Sequence, residues 1–356
     1  MQARDRVPLS RLTTLRLGGP ARRLLEAGTD AELVEAVAGA GAAGDPTLLV
    51  AGGSNLVIAD EGFAGTVVRV ATHGLTVSSC GPGGERVTVE AAAGEPWDAL
   101  VARCVADGLA GLECLSGVPG STGATPIQNV GAYGQEVAER IASVRVYDTS
   151  DGAVCELAPA DCRFAYRSSA LRRSARYVVL GVTFVLERSP RACPIRYAEL
   201  ARALDAAPGA QPPLAEVREA VLALRAGKGM VIDPGDPDSV SAGSFFVNPL
   251  LSDEQMEALR RRVAARLGGG VRPPAWPDGD GRVKTSAAWL IERAGFRRGY
   301  GEGRVGVSRK HTLALVNRGG ATTSELIALA RELRDGVRDA FGVTLSAEPT
   351  LIGVEL

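Results

Sequence analysis

"GVPGSTGATPIQNVGAYGQEV", residues 117–137, is the stretch on which the fold turns. Its first eighteen residues hold five glycines, two prolines and no charge. A run of this kind can lay backbone N–H groups against an anion with no Cβ in the way. A second run, "AGGSN" (51–55), joins two apolar strands inside "TLLVAGGSNLVIADEGFAGTVVRV" (47–70). Gly53, Ser54 and Asn55 offer donors to a pyrophosphate, and Thr125, Gln128 and Asn129 offer amide or hydroxyl groups to a flat polar ring. Singly, each run reads as a plain turn. Two of them in neighbouring α/β units imply a long, extended, polyanionic ligand.

The text around these runs falls into three regions. Residues 1–72 alternate strand and helix, with helical periodicity at "AELVEAVAGAGA" (31–42). Residues 73–229 open with the strands "LTVSS" and "RVTVEAAAG" and continue with a helix at "PWDALVARCVADGL" (96–109). Strands return at "IASVRVYD" and "ARYVVLGVTFVLER", and an amphipathic helix closes the region at 214–228. A linker, "DPGDPDS" (233–239), opens the third region, 230–345. Helical patterns there lie at 285–295 and 322–342, with a strand "HTLALVN" between them. The final strand, in 346–356, is expected to return near the first region. The expected class is α+β.

Composition excludes several functions. The chain has 356 residues, 46% of them apolar, and a net charge of −1 from 40 basic and 41 acidic groups. Such a balance argues against nucleic acid or an anionic membrane as partner. No apolar stretch has the length of a signal peptide or a membrane span, so a cytoplasmic protein is expected. Six cysteines without CxxC spacing and two histidines argue against a metal site. No GxxxxGK[ST] occurs. A GxGxxG does, at Gly301, Gly303 and Gly306, but it follows a helix and precedes a strand. That is the reverse of what a dinucleotide fingerprint needs, so it reads as an ordinary glycine-rich loop.

"SAGSFFVNP" (241–249) sets one hydroxyl, Ser244, between a glycine and two of the seven phenylalanines. Together with "LLVAGGSNLVIADEGFAGTVV", "GVPGSTGATPIQNVGAYGQEV", "FAYRSSALR" and the closing "EPTLIG", it resembles the UDP-N-acetylenolpyruvoylglucosamine reductase family over nearly the whole chain. The resemblance implies a vanillyl-alcohol-oxidase (PCMH-type) FAD-binding fold. Subdomains 1–72 and 73–229 would hold FAD non-covalently, and 230–345 would bind substrate. NADPH would be the reductant and UDP-GlcNAc-enolpyruvate the acceptor. "CPIRYAELARAL" (193–204) resembles the loop of the family's tyrosine-loop type, with Tyr197 as its tyrosine. A monomer is expected.

The resemblance also carries site residues. Gly52, Gly53, Ser54, Asn55, Gly120, Ser121, Gly123, Ala124, Thr125, Gln128, Asn129, Gly131 and Tyr133 match flavin-binding positions. Ser244 matches the proton donor. A weak acid suffices there if it is well placed, because the enolate-like intermediate is a strong base. Arg167 matches the active-site arginine, which would hold a carboxylate as charge builds. Glu348 matches the C-terminal glutamate and would either orient Arg167 or, if protonated, hydrogen-bond the enolate. Tyr197, Lys228 and Asn248 match substrate contacts, and Tyr166 is a further candidate beside the nicotinamide or the substrate. One departure stands out: Pro349 and Thr350 occupy the place of the family's usual Val-Arg. The rival expectations are a different flavin oxidoreductase of this fold, with covalent attachment through His73 or Cys114, and a nucleotide-binding module without turnover.

Overall fold

The computed structural model describes residues 1–172, 174–278 and 281–356. The chain divides into two compact units. One comprises 1–7, 21–53 and 64–231, and the other 8–20, 54–63 and 232–356. Residues 8–20 and 54–63 lie in the first region by sequence texture, yet they are compact with the C-terminal segment. The class is α+β.

The first unit is built on two sheets, besides a short two-stranded hairpin. In the smaller, the strands run Arg4–Pro8, Pro20–Ala27, Phe63–Val70, Thr47–Val50 across the sheet, and the last two are parallel. The larger sheet is antiparallel, ordered Ala153–Leu157, Ile141–Asp148, Tyr177–Arg188, Arg86–Ala92, Leu75–Cys80. Its central strand, Tyr177–Arg188, buries almost every residue up to Leu186, as a strand covered on both faces must. Arg86–Ala92 alternates instead, turning Val87, Val89 and Ala91 into the core. The helix Asp30–Ala42 starts in a capping box between Thr29 and Glu32. It packs Leu33 and Val37 with Leu25, Val68, Tyr147 and Leu180 in one cluster.

The second unit is built on a three-stranded sheet, Ser241–Ser244, Ala314–Asn317, Val305–Val307. Helices Asp253–Leu267, Ala287–Ala294 and Thr323–Phe341 surround its core of Phe245, Phe246, Met256, Leu290, Leu326 and Leu333. The longest helix has a capping box between Thr322 and Glu325 and stops at Gly342, whose φ is +73°. Asp60 receives the first free N–H groups of that helix, from Thr323 (2.7 Å) and Ser324 (2.9 Å). A carboxylate is favoured at a helix N-terminus by the dipole and by those unpaired donors. This contact draws residues 54–63 into the second unit.

Two segments differ in character from their sequence reading. "DPGDPDS" is no loose linker: Asp233 accepts from Gly235 N, Asp236 from Asp238 N, and Asp238 from Arg309 N. The GxGxxG loop owes Gly306 to Arg318. The guanidinium lies where a Cβ on Gly306 would sit and donates to the carbonyls of Gly299, Gly301 and Gly303.

Backbones approach very closely at Gly62, where φ is +84° and a Cβ would lie 2.0 Å from the carbonyl oxygen of Pro20. No side-chain movement relieves a clash with backbone. Gly62→Ala is therefore expected to cost about 3 kcal/mol, at the upper end of overpacking. By calorimetry its melting temperature should fall by roughly 6–12 °C. An unchanged melting temperature would contradict the tight approach.

Candidate active site

In the first unit the site is organised by a hairpin. Gly131–Ala132 pairs with Gln135–Glu136, and Tyr133 and Gly134 make the turn with φ of +47° and +84°. Two positive φ values suit the right-handed twist of a two-residue hairpin. Glycine adopts this conformation freely, but tyrosine gives up about 1–2 kcal/mol. Strain of this kind persists where neighbours enforce it and clusters at functional sites. Here the Tyr133 ring meets the edge of Tyr197 with centroids 5.6 Å apart, and Lys228 Nζ stands 5.4 Å from its centroid. Lys228 is paired with Glu199 at 2.5 Å. Tyr197 is 44% exposed, enough for its ring to be offered to a ligand. Burial pushes the Tyr133 phenol up to about 12 and raises that of Tyr197 as well.

The other end of the hairpin holds Arg167. The turn Ala165–Ser168 closes with reciprocal backbone bonds, and Arg167 takes a φ of +51° within it. Its guanidinium donates to the carbonyls of Gly131 and Asn129, stands 3.9 Å from Glu136 and lies over the Tyr166 ring at 5.2 Å. Asn129, also left-handed at +45°, is buried. Its Nδ2 donates to Glu136 (2.8 Å) and to Ala165 O (3.2 Å), while Oδ1 accepts from Ala138 N (3.1 Å). The side-chain amide that sequence reasoning gave to a ligand thus also has partners within the protein and braces the Arg167 turn. Thr125 likewise spends its hydroxyl on Thr122 O (2.8 Å).

Gly52 and Gly120 bring the two glycine runs into contact. A Cβ on Gly52 would lie 2.6 Å from Gly120 Cα, so neither run could carry a side chain there without parting from the other. Ser121, Gly123 and Gln128 are buried, whereas Ala124 is exposed. The N–H groups of Thr122 and Gly123 turn inward to Glu95 O and Ala93 O, both at 2.8 Å. The result is an uncharged, backbone-lined cradle of two close-packed glycine runs. Gly53 ends this unit's share of the "AGGSN" run; Ser54 and Asn55 belong to the second unit.

In the second unit Ser244 ends the strand Ser241–Ser244, half-buried. Gly243 before it has a φ of +72°, and a Cβ there would meet nothing within 4 Å, so the approach beside the hydroxyl is open. Phe245 and Phe246 behind it are 1% exposed. Glu348 N donates to Phe245 O at 2.9 Å, and Val247 N to Ser346 O at 3.1 Å. The glutamate is thereby fixed to the backbone immediately after the serine. Asn55 supports this arrangement: its carbonyl accepts from Thr350 N at 2.9 Å, and its Nδ2 reaches Glu348 O at 3.5 Å. The closing strand Thr350–Ile352 then runs parallel to Leu56–Ile58. Pro349 falls just ahead of that ladder, where a missing N–H costs no hydrogen bond. Asn248 Oδ1 accepts from Ala287 N at 3.0 Å, so it also caps a helix.

The chain as a whole has relatives among known proteins. Residues 236–352 match the model of the C-terminal domain of UDP-N-acetylenolpyruvoylglucosamine reductase, and residues 21–158 match that of an FAD binding domain. A UDP-N-acetylenolpyruvoylglucosamine reductase of Thermobifida fusca is 57% identical over 98% of each chain. That of Streptomyces coelicolor is 58% identical over 98% of this chain and 90% of its own. The chain belongs to the UDP-N-acetylenolpyruvoylglucosamine reductase family. The crystal structure of the Thermus caldophilus reductase, 26% identical, superposes with a TM-score of 0.65 over 99% of this chain and all of that one. Members of this reductase family are FAD-dependent oxidoreductases of peptidoglycan precursor synthesis, and so is this chain. No helix of the described residues is long and apolar enough to cross a membrane.

Sequence reasoning missed the carboxylates that accompany the predicted cations: Glu136 beside Arg167 and Asn129, and Glu199 beside Lys228. "GQEV" and "YAEL" show an acid near each motif, but the spacing does not say which cation it meets. The raised phenol of Tyr133 yields a direct check. In an ultraviolet titration of the tyrosines, Tyr133→Phe should leave the absorbance change between about pH 9 and about 10.5 unaltered, since only phenols near the usual value of about 10 ionise there. Loss of a component in that range would place Tyr133 in water.

Proposed function

We propose that the chain reduces the enolpyruvyl group of UDP-GlcNAc-enolpyruvate to the lactyl ether of UDP-N-acetylmuramate, with NADPH as reductant and FAD held non-covalently. Residues 1–72 and 73–229 would carry the flavin and 230–345 the substrate. The observation that carries the reading is the placement of Ser244: a hydroxyl after an open, left-handed Gly243, backed by two buried phenylalanines, with Glu348 tied to the same backbone. The glycine cradle at Gly52 and Gly120 fits FAD, which when bound supplies the hydride for the terminal carbon of the enol ether.

The residues divide the remaining work. The substrate is electrophilic at that carbon because its carboxylate draws electron density. The Arg167 guanidinium would bind the carboxylate and stabilise charge as it builds. Its carbonyl and carboxylate contacts fix the cation before substrate arrives, so little reorganisation is needed at the moment of reaction. Ser244 would donate its hydroxyl proton to the adjacent carbon, where position outweighs its poor acidity. Glu348 would orient Arg167 or donate a hydrogen bond to the enolate. Lys228, Tyr197 and Asn248 would hold the nucleotide-sugar, Lys228 as a point charge on the diphosphate. Glu199 is paired with that charge, and the pair is open enough to solvent for a diphosphate to compete with the carboxylate.

The test is an anaerobic visible spectrum with NADPH added first and UDP-GlcNAc-enolpyruvate second. The yellow should bleach and then return; lasting bleaching would mean a different acceptor. Ser244→Ala should leave bleaching by NADPH near normal and slow the return by at least about 10²-fold, the low end of what a positioned acid contributes. Equal loss in both half-reactions would make the serine structural.

A further inference from the structure

Glu113 is a carboxylate that no step above uses, and it is 0% exposed. It opens a short 3-10 turn, Glu113–Leu115, within the apolar run "LAGLECLSGV". Its Oε2 accepts from Gly111 N at 2.6 Å. Its Oε1 accepts from Cys193 N at 2.7 Å and from Gln135 Nε2 at 2.9 Å. Gln135 returns the contact by accepting from Cys114 N at 2.9 Å. A buried carboxylate without such donors would be costly, and three N–H groups converging on two acceptor oxygens is a match that an amide cannot reproduce.

The partners of Glu113 lie on the two segments that carry the facing tyrosines. Gln135 is the residue after the Tyr133–Gly134 turn. Cys193 is the first residue of the segment that leads to Tyr197, four positions on. Where the segments touch, a Cβ on Gly134 would lie 3.1 Å from Arg196 Cβ, so the separation is already at its minimum. We infer that Glu113 is a positioning residue for the nucleotide-sugar end of the site: its carboxylate sets the gap between Tyr133 and Tyr197 and so governs affinity for the UDP-linked substrate. This rests on the reading of Tyr197 as a substrate contact. Glu113 touches neither substrate nor flavin and acts through the tyrosines alone.

The experiment is a double-mutant cycle on the flavin-loaded full chain, with Glu113→Gln, Tyr197→Ala and the double variant. KM for UDP-GlcNAc-enolpyruvate, kcat and the rate of flavin reduction by NADPH are measured for each. Glu113→Gln should raise KM about tenfold, the effect of one lost buried hydrogen bond. Its kcat and flavin reduction should stay within about twofold of the parent. In the Tyr197→Ala background the same substitution should change KM by less than about twofold, because coupled residues are not additive. If Tyr197→Ala raises KM while Glu113→Gln does not, or multiplies it equally in both backgrounds, the positioning role is wrong and the reading of Tyr197 survives. A parallel fall in kcat and flavin reduction makes Glu113 merely structural. If Tyr197→Ala leaves KM unchanged, the substrate reading fails and takes this inference with it. Should Glu113→Gln not fold, Gln135→Met breaks the same bridge from the other side and enters the same cycle with the same outcomes.

Discussion

The left-handed turn at Tyr133–Gly134 is the constraint on which the first unit's site depends. Because the turn has only two residues, the strands it joins are held in a single register, Ala132 opposite Gln135. Everything functional nearby is hung from that ribbon. Arg167 docks on the carbonyl of Gly131, Asn129 bonds Glu136, Gln135 bonds Glu113, and Tyr133 faces Tyr197. A longer turn would relieve the strain at Tyr133 but let these attachments slide. A shift of one residue would also turn each side chain to the opposite face. The conformational cost at one tyrosine is small beside the contacts that a fixed register secures.

The site's charges are arranged on the same economical plan. Each cation has a carboxylate within reach, Glu136 for Arg167 and Glu199 for Lys228, and neither pair is fully buried. Half-exposed pairs of this kind lock orientation without binding tightly. Under the proposed function, a carboxylate or diphosphate would meet cations that are already aimed. The uncharged glycine cradle follows the opposite strategy, using backbone rather than side chains. Its rigidity comes from close packing between Gly52 and Gly120.

What the sequence discloses about this molecule depends on how local the cause is. Helix 323–341 is legible because its start and stop are written beside it, in Thr322, Glu325 and Gly342. Helix 253–267 has an equally good capping box at Ser252 and Gln255, yet its narrow stripe of Met256, Leu259 and Val263 is lost among arginines. The strand Ala153–Leu157 is an exposed edge and shows no alternation to read. The motif reading singled out Ser244, Arg167 and Glu348, but it could not show the protein partners of Asn129's amide, which lie 7, 9 and 36 residues away. Nor does texture separate residues 54–63 from their flanks. Their membership of the second unit is decided by Asp60 meeting a helix more than 260 residues later.

That last contact has a consequence for how such a protein can arise and change. The chain passes between its two units at 7/8, 20/21, 53/54, 63/64 and 231/232. Only the last passage resembles a domain junction in the gene. A segment cut there, 232–356, would leave behind Leu15, Leu17 and Val57, which belong to its own core. The C-terminal half is therefore no transferable module by itself. Recombination at the obvious boundary strands part of that one core on the other fragment, so heredity has to carry residues 8–20 and 54–63 forward together with the serine strand.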